Sequence, residues 1–292
     1  MIKFSKYIWL YFFLSSLVLV PGVFFLIRFG LRPAIDFTGG TLLEISFLSN
    51  VSTQSINDLA QKDGIPLVSV QPSKDGSFLL RSKPVSDEKI ALFVKHIQLF
   101  SPQGSTINRN ETIGPILGKE LLQKALVAAI IAIVAILTYV AWAFKNIKFG
   151  VSAIIALLHD LLVVLGVFAI LGHVAHVEVD TLFVTAFLTT MSFSVHDTIV
   201  VFDRIRELLK RGEKGTFEEV TDKALTQTLG RSLANSFTLI FMLLALVLMG
   251  GATIRWFVVA LLVGTTSGAY SSPFVATPIL ILWDRWERRR RR

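Results

Sequence analysis

The sequence contains no cysteine in its 292 residues. That absence rules out a disulfide framework, a thiolate nucleophile and any cysteine-based metal site. Charge is scarce: Asp, Glu, Lys and Arg make up 17% of the chain, against roughly 25% in an ordinary soluble domain. No Walker A sequence and no nucleotide fingerprint is present, so ATP is not the expected energy source. What is abundant is apolar surface, with 53% hydrophobic residues and a mean hydropathy of +0.63. Lipid is therefore the expected solvent. The net charge of +8 sits beside the hydrophobic runs, which points to anionic lipid as partner and away from nucleic acid.

Six apolar runs reach spanning length, at about 7–29, 121–143, 150–172, 181–203, 230–250 and 256–282. The first follows Lys3 and Lys6 and has the look of a signal peptide. Its length suffices to span, and no A-x-A-like cleavage site follows, so it reads as a retained helix. Lys and Arg in short loops set the orientation. Lys3 and Lys6, Lys145 and Lys148, the basic stretch Arg204–Lys223 and the terminal Arg288–Arg292 all fall on one side of a six-span chain. The 173–180 loop on the other side has no Lys or Arg, and Arg255 is an exception that can snorkel at its helix end. Both termini are expected in the cytoplasm and residues 30–120 outside.

The outward segment alternates strand and helix signals: Thr41–Phe47, helix Ser52–Asp63 capped by Ser52, Pro66–Val70, Gly76–Arg81, helix Ser86–Phe100, then Ser105–Thr112. The order βαββαβ predicts a small ferredoxin-like α+β domain. The expected organisation is a first helix in 1–29, this domain in 30–120, a five-helix region in 121–284 and a basic tail in 285–292.

Ionisable groups inside the spans carry the functional signal, because an Asp at a helix centre costs roughly 2.5–3.5 kcal/mol on insertion scales. Asp197 lies about 10 Å from the cytoplasmic end of the fourth span if that span stops at Arg204. Thr190, Ser194 and Asp197 follow i, i+4, i+7 on one helix face, with His196 adjoining. The competing reading is a packing contact with neighbouring hydroxyls. Arg231 in the fifth span is the expected partner of Asp197 at similar depth, and Arg231, Asn235 and Thr238 repeat the same spacing. The competing reading for Arg231 is snorkelling to headgroups. Asp160, preceded by His159, lies near the middle of the third span and reads equally as a second proton site or a packing group. Adjacent His–Asp pairs point about 100° apart on a helix, which gives poor metal-ligand geometry, so no metal is expected. The hydroxyls and glycines of Gly264–Gly268 and Ser271-Ser272-Pro273 read mainly as packing residues near a kink.

These residues resemble a known family. Ala34-Ile35-Asp36-Phe37-Thr38-Gly39-Gly40-Thr41 looks like the G-I-D-F-x-G-G-T segment that follows the first helix in the SecD/SecF family of protein-export membrane proteins. Ser194 through Glu207 is similar to the signature S-x-N-D-T-I-V-V-F-D-R-I-R-E of the SecF members of that family. Leu158-His159-Asp160 and Leu229–Leu233 fall where the family has matching pieces, and the resemblance runs through the whole chain in order and spacing. It implies one half of a resistance–nodulation–division-type bundle in the bacterial inner membrane, with SecD as partner beside the SecYEG translocon. It implies no catalytic activity and no cofactor, with protons as the coupling ion that helps draw unfolded preproteins outward. The family's essential acid and arginine map onto Asp197 and Arg231. Two departures stand out: His196 where Asn is usual, which places a titratable ring beside the acid, and Ala34 where the first glycine is usual. Asp36, Gly39 and Gly40 read as a turn that supports the outward domain.

The expected mechanism is electrostatic. Protonation of Asp197 from outside weakens its attraction to Arg231, the helices repack, and release of the proton inward restores the contact. His196 is placed to shuttle protons or tune the acid. Three alternatives make different demands. A small-molecule or lipid exporter of the same superfamily generally carries larger external domains. An intramembrane aspartyl protease needs Asp160 and Asp197 as a dyad, though no G-x-G-D sequence surrounds either. A structural scaffold needs neither acid.

Overall fold

The computed structural model describes all residues except 1–2, 48–50, 73–76, 101–103, 145 and 291–292, and the side chains of 87, 100 and 252 are also left undescribed. Lys145, Gly76 and the last two arginines, which entered the sequence reading, lie outside the described residues. Two compact units divide the chain: Met1–Arg32 with Val127–Arg292, and Pro33–Leu126.

The second unit is the α+β domain. A single helical turn, α2 (Ile35–Thr38), leads into β1 (Gly40–Phe47). There follow α3 (Thr53–Lys62), β2 (Leu67–Pro72), β3 (Ser77–Ser82), α4 (Asp87–Phe100) and β4 (Ser105–Ile113). The antiparallel sheet has the order β2-β3-β1-β4, the ferredoxin-like arrangement that the element order predicts. Period-two burial on β1 directs Leu43, Ile45 and Phe47 onto the same core as Ile56 and Ala60 of α3 and Ile90, Phe93 and Ile97 of α4. Ser52 caps α3 as expected, its Oγ accepting from Ser55 N at 3.1 Å.

The turn reading of Gly39 and Gly40 matches the backbone. Both have positive φ, +71° and +139°. A Cβ on Gly39 would sit 2.8 Å from Pro115 Cα, and one on Gly40 would sit 2.7 Å from the Ser82 carbonyl oxygen. Asp36 falls in the first turn of α2. Ala34 has φ −75°, which any residue adopts, so its replacement of the family's glycine is without strain.

The first unit is a bundle of apolar helices: α1 (Ile8–Phe29), the latter part of α5 (Pro115–Ala143), α6 (Ile147–Val174), α7 (Thr181–Lys210), α8 (Phe217–Met249) and α9 (Ala252–Ser271). A π-helical turn, Ser272–Ala276, joins α9 to α10 (Thr277–Arg290), and the two form one long apolar segment. Among the described residues six helices are long and apolar enough to cross a membrane, as the sequence predicts. At the π turn Ser272 Oγ lies 3.4 Å from the Gly268 carbonyl, and Thr277 Oγ1 donates to the Ser272 carbonyl at 3.0 Å. Side-chain hydroxyls thus serve backbone groups at the bend.

One boundary expectation is corrected. The stretch from Arg204 to Leu229, expected as a basic loop, is helical except for residues 211–216. Hydropathy marks only where lipid ends. Beyond it, α7 continues in water on the pairs Arg206–Asp203 at 3.2 Å, Arg204–Glu207 at 2.5 Å and Arg211–Glu207. A capping box between Thr216 and Glu219 starts α8 early. Near this end, Asp222 accepts from Ser5 N at 3.0 Å and Ser5 Oγ at 2.7 Å. Lys148 pairs with Asp284 at 2.9 Å and Arg285 with Glu218 at 2.7 Å, which ties α6, α8 and α10 together.

Close helix approach depends on missing side chains. Gly22 of α1 and Gly166 of α6 face each other, and a Cβ on Gly166 would sit 2.6 Å from Gly22 Cα. Gly166→Ala is therefore expected to destabilise the bundle by about 1–3 kcal/mol through overpacking. Gly230→Ala, whose Cβ meets nothing within 4 Å, is expected to cost nothing. Thermal unfolding of the detergent-solubilised protein measures both.

Candidate functional site

The polar residues of the spans divide into a buried knot and a seam of cavities. The knot is centred on Asp160, which is 4% exposed on α6. Its Oδ2 accepts from Ser194 Oγ of α7 and Ser271 Oγ of α9, each at 2.6 Å. Its Oδ1 accepts from Ser267 Oγ of α9 at 2.6 Å, and His159 Nδ1, carrying its proton there, donates at 3.0 Å. Each carboxylate oxygen thus takes two donors, so the acceptor capacity is filled. The chain next to the knot is also hydroxyl-rich: Thr198 Oγ1 donates to the Ser194 carbonyl at 3.1 Å and lies 2.9 Å from Ser272 Oγ.

α7 and α9 come close enough for this because Gly264 and Gly268 form a small-xxx-small pair. Gly264 packs directly on Thr190, and a Cβ on Gly268 would lie 3.2 Å from Ser194 Cα. Thr190 and Ser194 are therefore buried against α9, with Thr190 Oγ1 donating back to the Phe187 carbonyl at 2.8 Å. The stripe expected to be continuous from Thr190 to Asp197 splits here.

Asp197 turns the other way, toward α8. It is half-buried and lines a cavity of about 400 Å³ with His196, Asn235, Ser236, Thr238 and Thr265. Ser232 of α8 is its hydrogen-bonding neighbour. His196 is exposed beside it. A second cavity, about 780 Å³, lies further along the same α7–α8 seam. Its walls carry Asp203, Arg204, Arg206, Glu207 and Lys210 of α7, with Gln227, Thr228 and Arg231 of α8.

The ion pair expected between Asp197 and Arg231 is not formed. Among the described residues neither belongs to a salt bridge, and they line different cavities. The reason is rotation: Arg231 and Ser232 point about 100° apart on α8, and it is Ser232 that reaches Asp197. Arg231 ends the second cavity and Asp197 ends the first, with about one turn of each helix between them. Asp160 lines neither cavity, so the two acids do not meet as a proteolytic dyad. Among the described residues no three His, Asp or Glu side chains converge on one point.

The sequence reading took Ser267 and Ser271 as packing residues. The structure corrects this: both donate to Asp160. Their i, i+4 spacing in an apolar helix was the available signal. Removal of one such hydroxyl is expected to cost about 1–2 kcal/mol. Ser267→Ala together with Ser271→Ala should cost more than either change alone, read as melting temperature in detergent.

The family profile described as protein export membrane protein SecD/SecF, C-terminal, matches residues 95–286, and the SecD/SecF GG motif matches residues 24–47. The protein translocase subunit SecF of Thermobaculum terrenum is 40% identical, covering 97% of this chain and 94% of that protein. That of Anaerolinea thermophila is 38% identical, covering 96% and 93%. The crystal structure of SecDF, a translocon-associated membrane protein from Thermus, superposes with a TM-score of 0.85 at 30% identity. That match covers 97% of this chain and 39% of the SecDF chain, so this chain spans about two fifths of its length. The chain is a multi-pass membrane protein that belongs to the SecD/SecF family of protein export membrane proteins and aligns along its length with the SecF translocase subunits.

Proposed function

We propose that this chain works with a SecD partner beside the SecYEG translocon, and that it uses the proton gradient to promote outward movement of unfolded preproteins. The observation that carries the reading is the partition of the α7–α8 seam: Asp197 closes one cavity, Arg231 closes the next, and one helical turn divides them. A half-buried acid between two polar cavities has the layout of a gated proton route. The distribution of Lys and Arg supports cytoplasmic termini in the bacterial inner membrane, with the α+β domain outside and anionic lipid around the basic ends. The cavity that holds Asp197 is then the outer one. The match covers only part of the SecDF chain, which supports a SecD-type half as the partner of this one.

In this mechanism a proton enters the outer cavity past Asn235 and Thr238 and neutralises Asp197, with His196 beside it as a relay. While charged, Asp197 attracts Arg231 across the intervening turn; once neutral, it no longer does, and α8 is free to shift against α7. Transfer to the inner cavity resets the attraction. One charge crossing the membrane supplies about 2.3 kcal/mol per 100 mV. Asp160 stays out of the route and holds α7 and α9 in register.

Asp197→Asn is expected to abolish the gradient-dependent part of preprotein translocation in inverted membrane vesicles while the protein still inserts. Arg231→Gln should do the same, and Arg231→Lys should retain part of it. Full gradient-dependent translocation by Asp197→Asn would sink the coupling role and favour the scaffold reading.

A further inference from the structure

The loop that joins α6 to α7 holds a titratable group outside the proton route. His176 is, among the described residues, the one non-glycine residue with positive φ, +54°. Histidine is among the residues that tolerate this conformation. Its Nδ1 lies 2.7 Å from Arg32 Nη1. A guanidinium has only donors, so Arg32 donates and Nδ1 must be the unprotonated acceptor. The contact therefore exists only with a neutral His176.

Arg32 is held at this point from several sides. Its Nε lies 3.4 Å from Glu178 Oε1, and its carbonyl accepts from Val179 N at 2.8 Å. Gly172, at the end of α6, packs beneath it, since a Cβ there would sit 3.6 Å from Arg32 Cβ. The neighbouring charged groups are Glu178 and Asp180 in the loop, His173 on α6 and Arg28 on α1. Asp180 is engaged by the Phe183 backbone N–H at 2.7 Å. The His173 ring stacks on Phe29 at 3.9 Å, and Arg28 lies over the same ring. Arg32 is also the last residue of the membrane unit before the α+β domain begins at Pro33.

We propose that His176 is a second proton-binding site, an acid-opened latch whose protonation expels the Arg32 guanidinium and loosens the segment that follows α1. Protonation removes the only acceptor in the contact and sets two cations side by side. Glu178 is then left to serve both. The sign is fixed by the chemistry: the latch is closed while His176 is neutral and opens when the ring takes up a proton, so falling outer pH opens it. In the proposed orientation the loop faces the compartment that supplies the protons. The latch does not depend on the Asp197 route.

The test is amide hydrogen exchange by mass spectrometry on the full chain in lipid nanodiscs, following peptides that cover 28–33 and 173–180. His176→Asn is the reference at each pH, because Asn tolerates positive φ and offers an acceptor that does not titrate. Wild type and His176→Asn should exchange alike at pH 8, and wild type should exchange several-fold faster at pH 5. Arg32→Gln, whose amide can either donate or accept, should show no such pH step. A ratio of wild type to His176→Asn that is equal at both pH values would overturn the latch, as would a step that persists in Arg32→Gln. Neither result touches the coupling role of Asp197, which is read by translocation.

Discussion

The membrane bundle is organised around one buried carboxylate. Asp160 takes hydroxyl donors from α7 and from two successive turns of α9, all at 2.6 Å. A buried carboxyl group is tolerable only with its hydrogen-bonding capacity filled, so the surrounding helices are constrained to present serines at fixed places. That demand explains the close approach of α7 and α9, which in turn requires Gly264 and Gly268. It also sets the rotation of α7. With Ser194 held inward, Asp197, less than one turn later, is directed to the α8 side.

The two acids of the spans therefore differ by environment. Asp160 is enclosed by donors, whereas Asp197 has one hydroxyl neighbour and a cavity in front of it. About one turn of each helix separates Arg231 from Asp197 along the seam. For the proposed mechanism that separation matters, because a desolvated ion pair resists opening.

Much of this protein was legible in the sequence. The six spans followed from run length, the βαββαβ order from alternating periodicity, and the Gly39-Gly40 turn from residue type. Asp197 and Arg231 stood out because charge is expensive in lipid. The helical extensions of α7 and α8 were not legible from hydropathy, which stops at the membrane surface, although the Thr216–Glu219 box and the i, i+3 pairs of α7 encode them. The donors to Asp160 were not legible because a helical hydroxyl has two options. Thr185, Thr189 and Thr266 bond back to their own helix, while Ser194, Ser267 and Ser271 reach across, and residue type does not distinguish them.

The sequence by itself determined which segments enter lipid, which segment stays in water and which ionisable groups need an explanation, because these depend on composition and local period. Only the tertiary structure decided which way each polar side chain faces. Helix rotation is set by contacts between residues far apart in the chain: Ser267 and Ser271 on Asp160, Ser232 on Asp197, His176 on Arg32. A rotation of 100° is one residue along a helix. It separates an ion pair from two cavities with a wall between them.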